Sequence, residues 1–237
     1  MGLKEEIKGM ALNMGADLVG VASVERFSGA PKGFSPIDIM PQAKTVVVMA
    51  KKMPDQLVYG RLATAYTNTL QALHRSLDNI ACDLSVFVEK KGGQAIPIPA
   101  DDPYIYWDEE NRRGIGDLSH KHAARAAGLG ILGKNSLLIT PQYGNRVHLV
   151  SVITNLDLEP DPLVEEELCP PKCRLCLDAC PAGALKEDQV VIQKLCREIV
   201  GKTLPKGYWV YDCWECRNAC PARQPLNVPP GQEKGKL

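Results

Sequence analysis

An α/β sandwich-type domain, of α+β character, carrying a small C-terminal metal module is the fold that the sequence predicts, and three observations predict it. Short valine-rich runs at 16–24 and 43–50 alternate with stretches whose apolar residues recur every three or four positions, the pattern of buried strands between amphipathic helices. Eight of the nine cysteines fall within residues 169–220, a segment with few large apolar residues, so that segment needs metal and a docked neighbour to fold. At 237 residues the chain is long enough for one substantial core plus a second small module. The expected boundaries are 1–160 for the α/β domain, 161–224 for the metal module and 225–237 for a polar tail.

Leu3, Ile7, Met10, Ala11 and Met14 recur at helical spacing, and Gly15 stands where that helix would end. A buried strand at 16–24 follows. Residues 27–42 carry Gly29, Pro31, Gly33, Pro36 and Pro41, the marks of an irregular surface loop. The second strand, 43–50, is centred on Val46-Val47-Val48. From Leu62 the stripe Tyr66, Leu70, Leu73, Leu77, Ile80, Leu84 and Val88 steps by three or four throughout, which predicts one long helix. Cys82 lies roughly opposite the stripe, with no cysteine near it in sequence, and reads as a small half-buried hydrophobe. A short strand is expected at 94–98.

Residues 101–116 are dense in acids and aromatics, among them Asp101, Asp102, Tyr104, Tyr106, Trp107 and Asp108. A loop of that length inside a compact domain is a lid or binding loop, or else a solvated excursion, and the residues leave both readings open. Asp117 or Ser119 can cap an alanine-rich helix ending at Ala127. On it His120 shares a side with Ala123, Ala124 and Ala127 and so looks inward, while His122 cannot face the same site. Strands at 135–140 and 145–155, joined by Pro141-Gln142-Tyr143-Gly144, are expected to form a hairpin.

Gly128, Gly130 and Gly133 satisfy G-x-G-x-x-G and, with Lys134, nearly satisfy a P-loop, Asn135 standing where serine or threonine would meet magnesium. Both motifs need a strand before the glycines and a helix after them, so that phosphate meets a helix N-terminus. Here the helix comes first, which rejects NAD and ATP. What remains is a loop whose backbone can approach a ligand closely, with Lys134 and Asn135 adding a cation and an amide at its rim. A tight helix-to-strand connection with Lys134 solvated is the competing reading.

The cysteines read Cys169-Pro-Pro-Lys-Cys173-Arg-Leu-Cys176-Leu-Asp-Ala-Cys180-Pro181, then Cys196, then Cys213-Trp-Glu-Cys216-Arg-Asn-Ala-Cys220-Pro221. Two C-x-x-C-x-x-x-C-P runs, each with one further cysteine upstream, are the signature of a ferredoxin-like module with two [4Fe-4S] clusters. The cysteine before proline ligates the other cluster in such modules. One cluster is therefore expected on Cys169, Cys173, Cys176 and Cys220, and the other on Cys180, Cys196, Cys213 and Cys216. Cys169 and Cys173 are separated by three residues where two are usual. Structural zinc also uses C-x-x-C pairs but does not call for two interleaved cysteine-proline runs. Disulfides are disfavoured because Met1-Gly2-Leu3-Lys4-Glu5-Glu6 opens a charged amphipathic helix and resembles no secretory signal, which points to a reducing cytoplasm.

With 28 basic and 28 acidic residues the formal net charge is zero, so no global field recommends nucleic acid or an anionic membrane as partner. No apolar run approaches the roughly 20 residues that span a bilayer.

With the glycine loop and the cysteine module in one chain, the sequence resembles the epoxyqueuosine reductase family and, more distantly, the reductive dehalogenases. The stretches that carry the resemblance are Ala127-Gly128-Leu129-Gly130-Ile131-Leu132-Gly133-Lys134-Asn135-Ser136-Leu137-Leu138, residues 150–156, and the cysteines including Cys196. It weakens back through Tyr59-Gly60-Arg61. The resemblance implies a nitroreductase-like α/β domain bearing cobalamin, with two clusters feeding electrons to cobalt and the corrinoid bordered by Gly128, Gly130, Gly133, Lys134 and Asn135. The sequence has no D-x-H-x-x-G motif, so a histidine ligand to cobalt of the methyltransferase kind is not expected. Two departures stand out. The reductases carry an Asp-Ser-Ala-Pro stretch with a proton-donating aspartate where this sequence reads Gly114-Ile115-Gly116-Asp117-Leu118-Ser119-His120, and they carry a C-terminal helical repeat that helps hold tRNA. These departures imply a different substrate and argue against tRNA as a partner.

Two functions from different classes follow. In a corrinoid-dependent reductase the clusters reduce cobalt and an acid supplies the proton, with Asp117, His120, Tyr104 and Tyr106 as candidates; a positioned donor contributes about 10²- to 10⁴-fold. An electron donor protein of ferredoxin or flavodoxin type would feed it, and the substrate would be a small molecule or a macromolecule. In the other, the protein is an electron-transfer protein without corrinoid that serves a partner enzyme.

Overall fold

α1 (Leu3–Asn13) ends at Gly15, whose φ of 99° lets the chain reverse into β1 (Leu18–Ser23). This computed structural model describes residues 2–104 and 106–223, so the expected tail at 225–237 lies outside the described residues. A 3₁₀ turn and the short α2 (Pro36–Ile39) occupy the expected irregular loop and lead to β2 (Thr45–Lys52). α3 (Asp55–Tyr59) and the long α4 (Ala63–Lys90) return the chain to β3 (Ala95–Ile98). Then come β4 (Tyr106–Asp108), β5 (Arg113–Ile115), α5 (His120–Ala126), β6 (Ile131–Leu132), β7 (Leu138–Ile139) and β8 (Val147–Thr154).

The main sheet has the order β1-β2-β8-β3 with every neighbour antiparallel. Helices cover both of its faces. On one side Val47, Met49, Val150 and Val152 pack against Ile7 and Ala11 of α1 and Leu77, Ile80, Leu84 and Val88 of α4. On the other, Val46, Val48, Val147 and Ile153 pack against Ala123 and Ala124 of α5 and against Leu129. A strand buried on both faces needs no polar alternation, which is why the valine run of β2 is continuous. The stripe of α4 is buried from Tyr66 to Val88, whereas Leu62 precedes the helix and is exposed.

One expectation is corrected, and one reading left open is decided. Residues 135–140 and 145–155 do not form a hairpin, because β8 lies along β2 over its full length, from Thr45↔Thr154 to Lys52↔Val147, and takes β3 on its other edge. An eight-residue ladder with an apolar centre outweighs a local turn, and the short β7 closes on β6 instead. The stretch 101–116 is not an open excursion: β4 and β5 pair as a hairpin, and Gln193 bonds both the N–H and the carbonyl of Gly114.

The cysteine-rich segment consists of short pieces: α6 (Leu175–Asp178), α7 (Gln193–Ile199), β9 (Gly201–Thr203) paired with β10 (Trp209–Tyr211), and α8 (Glu215–Asn218). It is tied to the sheet by other means than a core of its own. Asp161 receives Lys4, Lys8 and the Val21 N–H; Trp214 stacks on Tyr66 of α4 at 4.2 Å between ring centres; Ile139 packs with Leu168, Cys220 and Ala222. Among the described residues no helix is long and apolar enough to cross a membrane.

Gly128 and Gly130 are demanded by this packing. A Cβ on Gly128, which has φ 71°, would lie 2.0 Å from the carbonyl oxygen of Pro162, and one on Gly130 would lie 2.1 Å from that of Ile139. Gly130→Ala is therefore expected to lower stability by about 1–3 kcal/mol, read as a shift of the denaturant midpoint. Gly116→Ala, where nothing lies within 4 Å of the added methyl, serves as the neutral control.

Candidate functional site

The thiols sort into two sets. Cys169, Cys173, Cys176 and Cys220 line one cavity together with Lys134, Asn135, Ile139, Leu168, Pro170 and Pro221. Burial pushes the Cys176 thiol up and Cys169 and Cys173 push it further; burial pushes Cys220 up to about 11, with Cys176, Cys169 and Cys173 adding to it. Among the thiols, the other four act on one another. Cys196 is pushed up by burial and then by Cys180 and Cys213, and Cys216 is pushed up to about 12 by burial, with Arg217 opposing and Cys196, Cys213 and Cys180 reinforcing. A thiol held so far above neutral pH stays protonated and inert unless a metal cation replaces its proton. Among the described residues no three His, Cys, Asp or Glu side chains converge closely enough for a single metal ion.

Each set is placed by elements far apart in sequence. α6 carries Cys176 and α7 carries Cys196, while α8, with Cys216, docks under α3 and the start of α4. Trp214 donates through Nε1 to Val58 O at 3.1 Å, and the Tyr211 N–H donates to Thr67 Oγ1 at 2.8 Å. Arg217 is buried and donates to the carbonyl of Asn145, whose own amide donates to Arg217 O at 3.1 Å. No carboxylate pairs with that guanidinium among the ion pairs of the described residues.

The glycine loop does not present an open edge. Gly128 and Gly130 face the chain's own backbone, and a Cβ on Gly133 would lie 2.7 Å from Asn135 Oδ1 and from the Ile139 side chain. Lys134 donates to Pro171 O at 2.5 Å and pairs with Glu187 at 2.8 Å, while the Asn135 amide reaches Cys216 O at 3.4 Å. The helix-to-strand connection is what the geometry displays, with Lys134 clamped instead of solvated. Lys134 and Asn135 border the Cys169 set.

Of the four candidate proton donors the structure brings three into one cleft, lined by Ile98, Asp101, Tyr104, Gly116, Asp117 and His120 among others. Tyr106 is left outside it, 53% exposed on β4. His120 is inward-facing as expected but fully engaged: Nε2–H donates to Pro99 O at 2.7 Å and Nδ1 lies 2.9 Å from Ser151 Oγ. Burial lowers its pKa, so it stays neutral and is unsuited to donating a proton. Tyr104 is held between Asp101 Oδ1 and Arg197, 3.4 and 3.3 Å from its hydroxyl, and burial raises its pKa. Ser119, not Asp117, occupies the N-cap of α5, and its hydroxyl meets His122 Nδ1 at 2.7 Å.

Sequence reasoning missed His74, His148, Arg197 and Arg217. The available signal was a titratable residue on an apolar face: His74 sits between Leu73 and Leu77 in the α4 stripe, and His148 is two residues before Val150.

No family model matches the chain. It is 28% identical to the epoxyqueuosine reductase of Bacillus subtilis over 92% of this chain and 63% of that protein, and 26% identical to that of Staphylococcus aureus over 95% and 66%. The chain thus spans just under two thirds of the length of these curated relatives. Among solved structures it matches epoxyqueuosine reductase from Streptococcus thermophilus with a TM-score of 0.64 at 23% identity, covering 97% of this chain and 70% of that one. It also matches a reductive dehalogenase described as B12-dependent with a TM-score of 0.66 at 19% identity, over 92% and 31%. A third match, an epoxyqueuosine reductase with a modified tRNA stem loop, has a TM-score of 0.62 at 25% identity over 93% and 65%. That complex overturns the expectation against tRNA, which rested on the absent Asp-Ser-Ala-Pro stretch and C-terminal repeat and on zero net charge; phosphate binding depends on local patches and not on the sum of charges. In its mixed α/β fold and over most of its length, the chain is similar to the epoxyqueuosine reductases, which are oxidoreductases.

Proposed function

We propose that the chain is an iron–sulfur oxidoreductase in which one [4Fe-4S] cluster is held by Cys169, Cys173, Cys176 and Cys220 and a second by Cys180, Cys196, Cys213 and Cys216. The observation that carries this reading is the interleaving of the thiols, with Cys220 among the first run and Cys180 among the second, as a two-cluster ferredoxin-like module requires. The donor sets fit in number, four thiols each, and the first set lines a cavity. Arg217, buried without a carboxylate beside Cys216, fits as well, because an anionic cluster supplies its counter-charge. On this reading residues 161–224 are the electron-carrying module and 1–160 a nitroreductase-like domain that receives the electrons and binds substrate.

The relatives named for epoxyqueuosine, one of them held with a tRNA stem loop, make an oxidised nucleoside in tRNA the substrate class we propose. Reducing an epoxide to an alkene takes two electrons and two protons and releases water. Asp117, Tyr104 and Asp101, all in the cleft, are groups of this chain able to hold a proton beside a substrate there. Cobalamin as the electron acceptor is supported by the B12-dependent dehalogenase neighbour. The loop 128–135 does not fit a corrinoid, since its glycines and Lys134 are spent on the chain's own backbone and on Glu187, and we route no step through it.

Anaerobically reconstituted protein should hold about eight iron atoms per chain, and Cys220→Ala should lose the resonance signal of one cluster while retaining the other. Loss of both signals, or of neither, would show the assignment wrong. With a chemical reductant the protein is expected to convert epoxyqueuosine-modified tRNA, and turnover and cobalt content with and without added cobalamin test whether a corrinoid takes part. Iron without cobalt or turnover would make it an electron-transfer protein for a partner enzyme.

A further inference from the structure

A part-buried polar chain runs from the cleft toward the cysteine-rich segment. Asp101 lies at the cleft with its side chain 38% exposed, and its Oδ2 is 3.2 Å from His74 Nδ1. His74 Nε2 is in turn 2.8 Å from His148 Nδ1. His148 Nε2 is buried with no hydrogen-bond partner, and the other two orphaned buried atoms among the described residues are on its neighbours Asn145 and Arg146. Unsatisfied groups thus gather at the start of β8, where Asn145 binds Arg217 of α8.

Two imidazole nitrogens facing each other at hydrogen-bond distance share one proton. With both rings neutral, His74 Nδ1–H donates to the Asp101 carboxylate and His148 Nδ1–H donates to His74 Nε2, which leaves His148 Nε2 a bare lone pair. A proton added at His148 Nε2 pushes the shared proton onto His74. The product is an imidazolium paired with Asp101 beside a neutral His148, so the unit's charge rises from minus one to zero with one proton bound.

We infer that Asp101, His74 and His148 bind one proton when an electron arrives on the neighbouring Cys180–Cys196–Cys213–Cys216 site, and release it toward Tyr104 and the cleft. This rests on the cluster reading above. The surroundings fit a unit that changes charge. His74 is the largest cause of the lowered Asp101 pKa, and burial keeps His148 neutral, with Arg217 and His74 opposing its charge further. Other groups that act on the unit are Tyr104, Arg197 of α7 and Tyr211 of β10 on Asp101, and His120 of α5 on His74; Asp78 of α4 acts on His120. Lys51, opposite His148 on β2, is spent on the Gly15 carbonyl.

The test is a redox titration of both clusters in the reconstituted full chain from about pH 6 to about pH 8, the range in which histidine changes charge. Because the reduced state binds the proton, raising the pH opposes reduction. One potential is expected to fall by up to about 59 mV for each tenfold drop in proton concentration, the one-electron limit, while the other stays flat. His74→Gln, which can still donate to Asp101 but cannot become cationic, should flatten the dependence with iron content unchanged; if it fails to hold iron, His148→Gln makes the same test. Flat potentials in the unaltered protein overturn the inference, as does a slope that survives in the variant. Protein that takes up no iron overturns the cluster reading itself, and the proton unit with it, a result distinct from flat potentials on a loaded chain.

Discussion

Strand β8 is the constraint on which the rest of the structure depends. It is central in the sheet, paired along β2 for eight residues and along β3 for four, and covered on both faces. Burying a strand this completely is favourable only if every backbone group is paired and every side chain fits between helices. The same burial fixes where its polar ends go. Asn145, Arg146 and His148 at its start have no solvent to face and must find partners in whatever packs there, which is α3, α4 and α8.

The cysteine-rich segment illustrates the opposite regime. Its helices run four to seven residues, too short to hold together by helix propensity, and Tyr208, Trp209, Val190 and Leu175 are exposed. What holds it is a set of specific attachments: the Tyr66–Trp214 stack, the Asn145–Arg217 exchange, Lys134 on Pro171 and Glu187, and Gln193 on Gly114. Most of these attachments lie at positions where a thiol or the cleft is next in line. Electron and proton routes between the two parts would therefore share the groups that dock them, and docking and redox chemistry would be coupled by position.

The glycine loop shows how a motif can mark a similarity while its glycines are demanded by the chain's own packing. Its residues mark a relationship to the epoxyqueuosine reductases, yet Gly128 and Gly130 are required by Pro162 and Ile139 of the same chain. Glycine permits close approach of any backbone, and only the fold says which one approaches. Zero net charge likewise gives no ground for excluding nucleic acid, because a sum over the chain carries no information about where charges stand.

Residue types and spacings by themselves determined the mixed α/β class, the strands at 18–23 and 45–52, the α4 stripe, and the two cysteine runs, since each is written in periodicity or in a short-range pattern. The same holds for the inward turn of His120. Tertiary structure alone decided that β8 pairs with β2 instead of with its sequence neighbour, that Tyr106 leaves the cleft while Tyr104 and Asp117 enter it, and that Asp101, His74 and His148 meet. His74 and His148 are 74 residues apart, on a helix and a strand whose individual patterns only call for an apolar face. Periodicity reports which side of an element is buried; which polar group it meets inside depends on the register between elements, and register is set by packing over the whole sheet.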